Sequence, residues 1–195
     1  MTDIRLSLAV EAGVFAVPET GTILVLRPHA GADLSALPKE RVRIVQGFRP
    51  DYDAFAAAGY AVSPEPESRH DAAIVVLPRA RVEGRALIAA AVASLPVGAP
   101  VAIDGARTDG IEGILRELRG RVTVGEVISK AHGKIFAFAA PETSVFADWQ
   151  AQPTVLADGS VTLPGIFSAD GPDPGSELLA ASLPEKLSGF GADLG

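Results

Sequence analysis

The chain has 195 residues, 48% of them hydrophobic, with a formal net charge of −7 at pH 7 and no cysteine. That apolar content can bury the core of one good-sized domain, or of one domain plus a fragment, and argues against disorder. The missing cysteines exclude disulfides, Cys-ligated zinc and thiol catalysis. The acidic balance argues against a general nucleic-acid binder but allows a local basic face.

Along the chain, Ile4, Leu6, Leu8, Val10, Val14 and Val17 predict an N-terminal helix ended by Pro18. Asp3 and Glu11 interrupt this segment, so it does not read as a signal peptide. Thr22 to Leu26 is a continuous apolar run of strand length, as in a sheet covered on both faces. A loop comes next, then a strand over Arg41 to Gln46, a helix over Asp51 to Ala58 closed by Gly59, and an edge segment at Tyr60 to Val62. Asp71 to Leu77 is a strand stopped by Pro78, and Val82 to Leu95 an alanine-rich helix. The apolar run from Ala86 to Leu95 is too short to span a bilayer, so no membrane partner is expected, and the absence of cysteine fits a cytoplasmic protein.

Val101 to Asp104 is predicted as a strand and Ile111 to Leu118 as a helix. Val122 to Ile128 and Ile135 to Phe138 read as a hairpin around a polar turn, Ser129 to Lys134. Alternating strands and helices closed by such a hairpin predict an α/β, Rossmann-like, doubly wound and mostly parallel sheet with a terminal antiparallel hairpin. Residues 141–162 read as a linker in which Trp149 anchors an amphipathic stretch to the sheet. Within it, Val155-Leu156 and Ser160 to Leu163 are set for a small hairpin through Asp158-Gly159.

A dinucleotide or similar cofactor needs glycines just after the first strand, so that backbone amides can approach it. Here the sequence is Leu26-Arg27-Pro28-His29-Ala30-Gly31, and no Gly-x-Gly-x-x-Gly occurs anywhere. The domain is therefore expected to have the fold without the cofactor pocket. His29 and His70 stand without ligand-spaced partners, and no metal site is predicted. Asp104, at the carboxyl end of a strand, reads equally as a ligand contact or a cap. Lys130, His132 and Lys134 in the hairpin turn form a solvated turn or a small RNA-phosphate contact, joined in the second case by Arg79 and Arg81. Ser168 and Ser176 have no nearby histidine base, which argues against a serine hydrolase.

The last stretch carries the strongest signal. Pro164-Gly165-Ile166-Phe167-Ser168 leads to Asp173-Pro174-Gly175-Ser176, where Asp173 or Ser176 can cap a short helix through Leu178-Leu179 that ends at Pro184. Phe190 to Gly195 then reads as a strand entering a glycine-containing loop. This arrangement resembles the entrance to the catalytic domain of ribosomal RNA guanine-N2 methyltransferases of the small-subunit methyltransferase C type. In that family a Gly-x-Phe-Ser element precedes the first cofactor strand, which ends in an Asp-x-Gly-x-Gly-x-Gly loop holding S-adenosylmethionine. Asp193-Leu194-Gly195 matches the opening of that loop. The family's Asn-Pro-Pro-Phe-type catalytic motif has no counterpart here.

The resemblance implies a degenerate, non-catalytic class I methyltransferase domain over 1–140, a linker over 141–162, and a truncated start of the catalytic domain over 163–195. It implies cofactor contacts at Phe167, Ser168, Gly175, Ser176, Asp193 and Gly195 in the full-length parent, with no cofactor bound to this chain. Ribosomal RNA or the small ribosomal subunit would be the partner. Residues after about Val155 are expected to pack poorly or to pair with a second copy, because an unfinished strand leaves an open edge. The alternative is a stand-alone Rossmann-like binding or regulatory module acting through protein contacts.

Overall fold

The first strand, Ile23–Leu26 (β1), is buried at every residue, which a strand can be only when both faces of its sheet are covered. A computed structural model, describing residues 4–66, 69–157, 159–184 and 189–190, shows how. The chain divides into two units, Met1–Ala151 and Gln152–Gly195. The first contains α1 (Arg5–Glu11), β1, β2 (Val42–Val45), α2 (Arg49–Ala57), β3 (Ala61–Ser63), β4 (Ala72–Val76), α3 (Arg81–Ala93), β5 (Pro100–Ala106), α4 (Ile111–Arg119), β6 (Val127–Lys130) and β7 (Gly133–Ala139).

These strands form one sheet in the order β3-β2-β1-β4-β5-β7-β6. β1 to β5 run parallel, whereas β7 is antiparallel to both β5 and β6. The expected doubly wound sheet with a terminal hairpin is therefore present, in the class I methyltransferase arrangement. Strand order reverses between β1 and β4, the position where open α/β sheets form a crevice at their carboxyl edge. One face is covered by α3 and α4, through residues such as Ile88, Val92, Ile114 and Leu118. The other is covered by α1 and α2 and by Leu34 and Leu37 of the segment between β1 and β2.

Three boundaries differ from the sequence reading. α1 stops at Glu11 rather than at Pro18. Gly13 takes φ +70°, and the amides of Gly13 and Val14 donate to the carbonyls of Val10 and Ala9, a Schellman stop that needs the glycine. α2 begins at Arg49, two residues early, because Pro50 fits a first turn. The hairpin is displaced most. β6 begins at Val127, not Val122, and the turn shrinks to Ala131 and His132, whose φ values are 49° and 56°. This is the two-residue geometry usually supplied by Asn-Gly. Residues 143–149 form a short 3-10 segment that buries Phe146 and Trp149 within the first unit.

In the second unit, β8 (Thr154–Val155) and β9 (Val161–Thr162) form the expected small hairpin. Asp158 of its turn lies outside the described residues. α5 (Pro174–Ser182) is capped by Asp173, whose carboxylate accepts the Ser176 amide at 3.0 Å, and it buries none of its residues.

Candidate functional site

The segment after β1 decides what the carboxyl edge of the sheet can hold. It contains no α-helix, only a loop and a single 3-10 turn at Lys39–Arg41. A helix there would aim free amides and a positive dipole end at a phosphate or carboxylate. The loop is instead closed on the protein's own groups. Arg27 adopts φ 57°, a conformation usually left to glycine, and its guanidinium donates to Glu83 in the first turn of α3. The Ala30 amide donates to Asp51 at 2.9 Å, and the Ala32 amide to the His29 carbonyl at 2.9 Å. Gln46 occupies the end of β2, where nucleotide-binding sheets place an acid for a ribose hydroxyl. Its buried amide donates to the Pro28 carbonyl and accepts from the Phe48 amide, each at 2.9 Å. Asp33 caps the Ser35 amide at 3.0 Å, and its hydrogen bonds to Ser35 hold its carboxyl below the usual carboxylate range.

A cavity of about 230 Å³ remains between this loop, β1 and β4, with Leu6, Val25, Ile74 and Val76 as its apolar lining and His29, Asp33 and Asp104 as its polar groups. Pockets for drug-sized ligands span roughly 300–1,000 Å³, so this one is small for a nucleotide-sized cofactor. Arg5 from α1 forks onto Asp104 with contacts of 2.5 and 3.0 Å, and both side chains are buried. Asp104, at the sheet edge as expected, is thus a structural partner.

The predicted basic residues all reach this same edge, because Ala106 at the end of β5 pairs with Gly133 beside the hairpin turn. Arg79 is exposed in the loop after β4. Arg81 opens α3 and pairs with Glu117 of α4, which also receives Arg85 at 2.8 Å. Lys134 pairs with Glu112 in the first turn of α4 at 3.0 Å. Lys130 and His132 are exposed. Arg107 joins them and was missed from sequence, which ended β5 at Asp104. A shallow cleft of about 460 Å³ is lined by Arg107, Glu112, Ser129, Lys130, His132 and Lys134.

The predicted cofactor contacts belong to the second unit. Phe167 is 82% exposed, Ser168 takes φ 53° in a turn closed by its hydroxyl on the Gly171 carbonyl, and Gly175 and Ser176 lie in the first turn of α5. Asp193 and Gly195 lie outside the described residues, as does the predicted strand through 191–195. Among the described residues no cluster of three metal-ligating side chains occurs, and no helix is long and apolar enough to cross a membrane.

No family model matches the chain. It is 29% identical over 143 residues to Ribosomal RNA small subunit methyltransferase C of Yersinia enterocolitica, covering 70% of this chain and 40% of that protein. It is 28% identical over 187 residues to the protein of the same name from Idiomarina loihiensis, covering 89% of this chain and 54% of that one. The chain thus spans about half the length of the curated relatives it matches. In fold it is similar to the T. thermophilus 16S rRNA N2 G1207 methyltransferase (RsmC) in complex with AdoMet and guanosine, at a TM-score of 0.64 and 19% identity, over 92% of this chain and 51% of that one. It also resembles, at a TM-score of 0.53, a putative RNA methyltransferase from Pyrococcus horikoshii. The resemblance read from Pro164 to Gly195 is thereby supported by named relatives, and the partial coverage fits an N-terminal portion of such a protein.

Proposed function

We propose that the chain is the scaffolding and RNA-positioning part of a cytoplasmic, S-adenosylmethionine-dependent ribosomal RNA (guanine-N2) methyltransferase, and that it does not transfer methyl groups by itself. In this reading 1–140 is the non-catalytic copy of the fold, 141–162 the linker and 163–195 the start of the catalytic domain. The observation that carries it is the closed loop after β1. Arg27 of the loop pairs with Glu83 of α3, and Gln46 and Asp51 engage the backbone of Pro28 and Ala30, beside a cavity of about 230 Å³.

Phe167, Ser168, Gly175, Ser176, Asp193 and Gly195 are assigned to the cofactor side of the longer protein. S-adenosylmethionine, when bound there, supplies the electrophilic methyl group. The role of this chain's residues is to shape the wall of that site. Arg79, Arg81, Lys130, His132 and Lys134 are assigned to RNA phosphates, consistent with their shared position at one sheet edge.

Calorimetric titration of S-adenosylmethionine into this chain, and into one continued past Gly195 with the corresponding sequence of its relatives, tests the reading. Binding by the longer chain alone is expected. Binding by this chain would place a working pocket at the loop after β1 and overturn it. A failure of both the longer chain to take the cofactor and this chain to take RNA would favour a protein-binding module instead.

A further inference from the structure

The hairpin residues line one cleft with Arg107, yet the strand register gives them different faces of the ladder. Pairing in β6 and β7 sets Ser129 opposite Lys134 and Lys130 opposite Gly133. Directly paired residues share a face, and neighbours along a strand alternate. Lys134 and Ser129 therefore lie on the face of Phe136 and Phe138, which α3 and α4 cover. Lys130 and Gly133 lie on the face of Ile135 and Ala137, which α1 covers. The register separates two lysines that the sequence placed in one turn.

We propose that a single RNA phosphate-binding tract runs along the α3–α4 side of this edge, formed by Arg79, Arg81, Arg107 and Lys134, with Glu112 as an internal competitor for Lys134. This deepens the RNA-positioning reading and rests on it. Arg107 is exposed directly after β5. Its amide donates to the His132 carbonyl at 2.9 Å, which fixes the start of its segment against the hairpin turn. Asp109, the nearest acid in sequence, is turned onto the Ala106 amide and the Thr108 hydroxyl. Glu117 is shared between Arg81 and Arg85, so it offsets only part of their charge. Glu112 faces Lys134 and is half exposed, so solvent screens the pair and a phosphate can displace it.

The platform is also braced from below. The buried Arg5 guanidinium lies beneath the hairpin, with its Nη1 3.4 Å from the Lys130 carbonyl and 3.5 Å from that of Ala131. A side chain at position 133 would collide with Arg5 and the Gly105 carbonyl. A turn held from below in a costly conformation presents its rim without much ordering on binding.

The test uses the whole chain and a fluorescein-labelled single-stranded fragment of small-subunit ribosomal RNA, with anisotropy read across a salt series. Arg107→Ala and Lys134→Ala are each expected to weaken binding about 3- to 10-fold and to flatten the log–log salt slope by about 0.7, one phosphate contact on a single strand. Glu112→Gln should tighten binding about 2- to 5-fold by freeing Lys134. Lys130→Ala should weaken binding less than Lys134→Ala. Arg49→Ala, the same charge lost on α2, should change affinity less than about 2-fold. Near-native circular dichroism checks each variant's fold.

Binding by the wild type that Arg107→Ala, Lys134→Ala and Glu112→Gln leave unchanged would overturn the tract while leaving the RNA-positioning reading intact. So would a larger loss from Lys130→Ala than from Lys134→Ala. No salt-dependent binding by the wild type would overturn both. Equal competition by polyglutamate would mark an acidic protein surface as the partner and overturn the RNA assignment.

Discussion

Arg5 and Asp104 lie 99 residues apart in sequence and meet in the interior, which makes their pair a sharp test of the physical account. The guanidinium donates to both carboxylate oxygens, at 2.5 and 3.0 Å, and the two residues are only 5% and 7% exposed. Replacing Arg5 with Met keeps much of the volume but leaves a buried carboxylate without its main cation. Breaking one side of such a pair costs about 3–5 kcal/mol. With a urea m-value of about 2 kcal/mol/M, the unfolding midpoint should fall by roughly 1.5–2.5 M. Removing both charges, in Arg5→Met/Asp104→Leu, should recover most of that loss, because the desolvation penalty goes with the attraction. The assay is urea unfolding followed by circular dichroism, with m compared across the three proteins. A single variant losing less than about 1 kcal/mol would show that water or other groups compensate the carboxylate, against the reasoning. A double variant no more stable than the single would show that the hairpin brace, not the charge pair, carries the stabilisation.

Other positions give further expected outcomes. Gly133→Ala sets a Cβ 2.6 Å from both Arg5 and the Gly105 carbonyl, and should cost about 1–3 kcal/mol in thermal unfolding. Trp149 is buried, packs on Phe146 at a ring distance of 5.0 Å and lies 4.7 Å from the Arg121 guanidinium. Trp149→Ala should lose about 3–5 kcal/mol by denaturant unfolding. The neighbouring Asp148 carboxyl is held below its usual value by hydrogen bonds from Arg121. Its contribution is therefore complete above the ordinary carboxylate pKa and fades as pH falls through the lowered folded value. Fluorescence of Trp149, the one tryptophan of the chain, should report an acid transition there that Asp148→Asn abolishes.

Much of the fold was legible because its strands are short, wholly apolar runs bounded by Gly, Pro or charge, as at Ile23–Leu26 and Ala72–Val76. The hairpin was misplaced for a definite reason. Val122 to Glu126 carries β-favouring residues, yet the Val122 amide bonds back to Leu118 at the end of α4 and only Gly125 reaches the sheet, at Ala137, 2.9 Å. The true turn uses Ala131 and His132 in left-handed conformations, which no local signal marks. Tertiary support from Arg5 holds that turn, and a contact made across more than a hundred residues cannot be read from spacing. Arg107 was invisible for a related reason: β5 continues through Gly105 and Ala106, because those small residues fit against Leu77 and the hairpin.

Under the proposed reading, the closed loop after β1 lets such a sheet hold its fold without a ligand. The core is built from strand residues and helix faces below the carboxyl edge, such as Val25, Ile74, Val101 and Ile103, each essentially inaccessible to solvent. From the loop only Leu34 and Leu37 join that burial, on the α1–α2 face. What the loop must do is satisfy the polar backbone groups it buries, since an unmet buried polar group costs about 1–3 kcal/mol. Gln46 does this for the buried Pro28 carbonyl and ties it to the Phe48 amide after β2, while Asp51 accepts the exposed Ala30 amide. Under the proposed reading, the side chains that replace a cofactor's partners are therefore stability determinants. Gln46→Ala should unfold at lower urea without any gain in S-adenosylmethionine binding, as calorimetry on the same sample would show. Acquired cofactor binding in that variant would mean that Gln46 merely blocks an intact pocket, and the loop would then count as a gate rather than a closed surface.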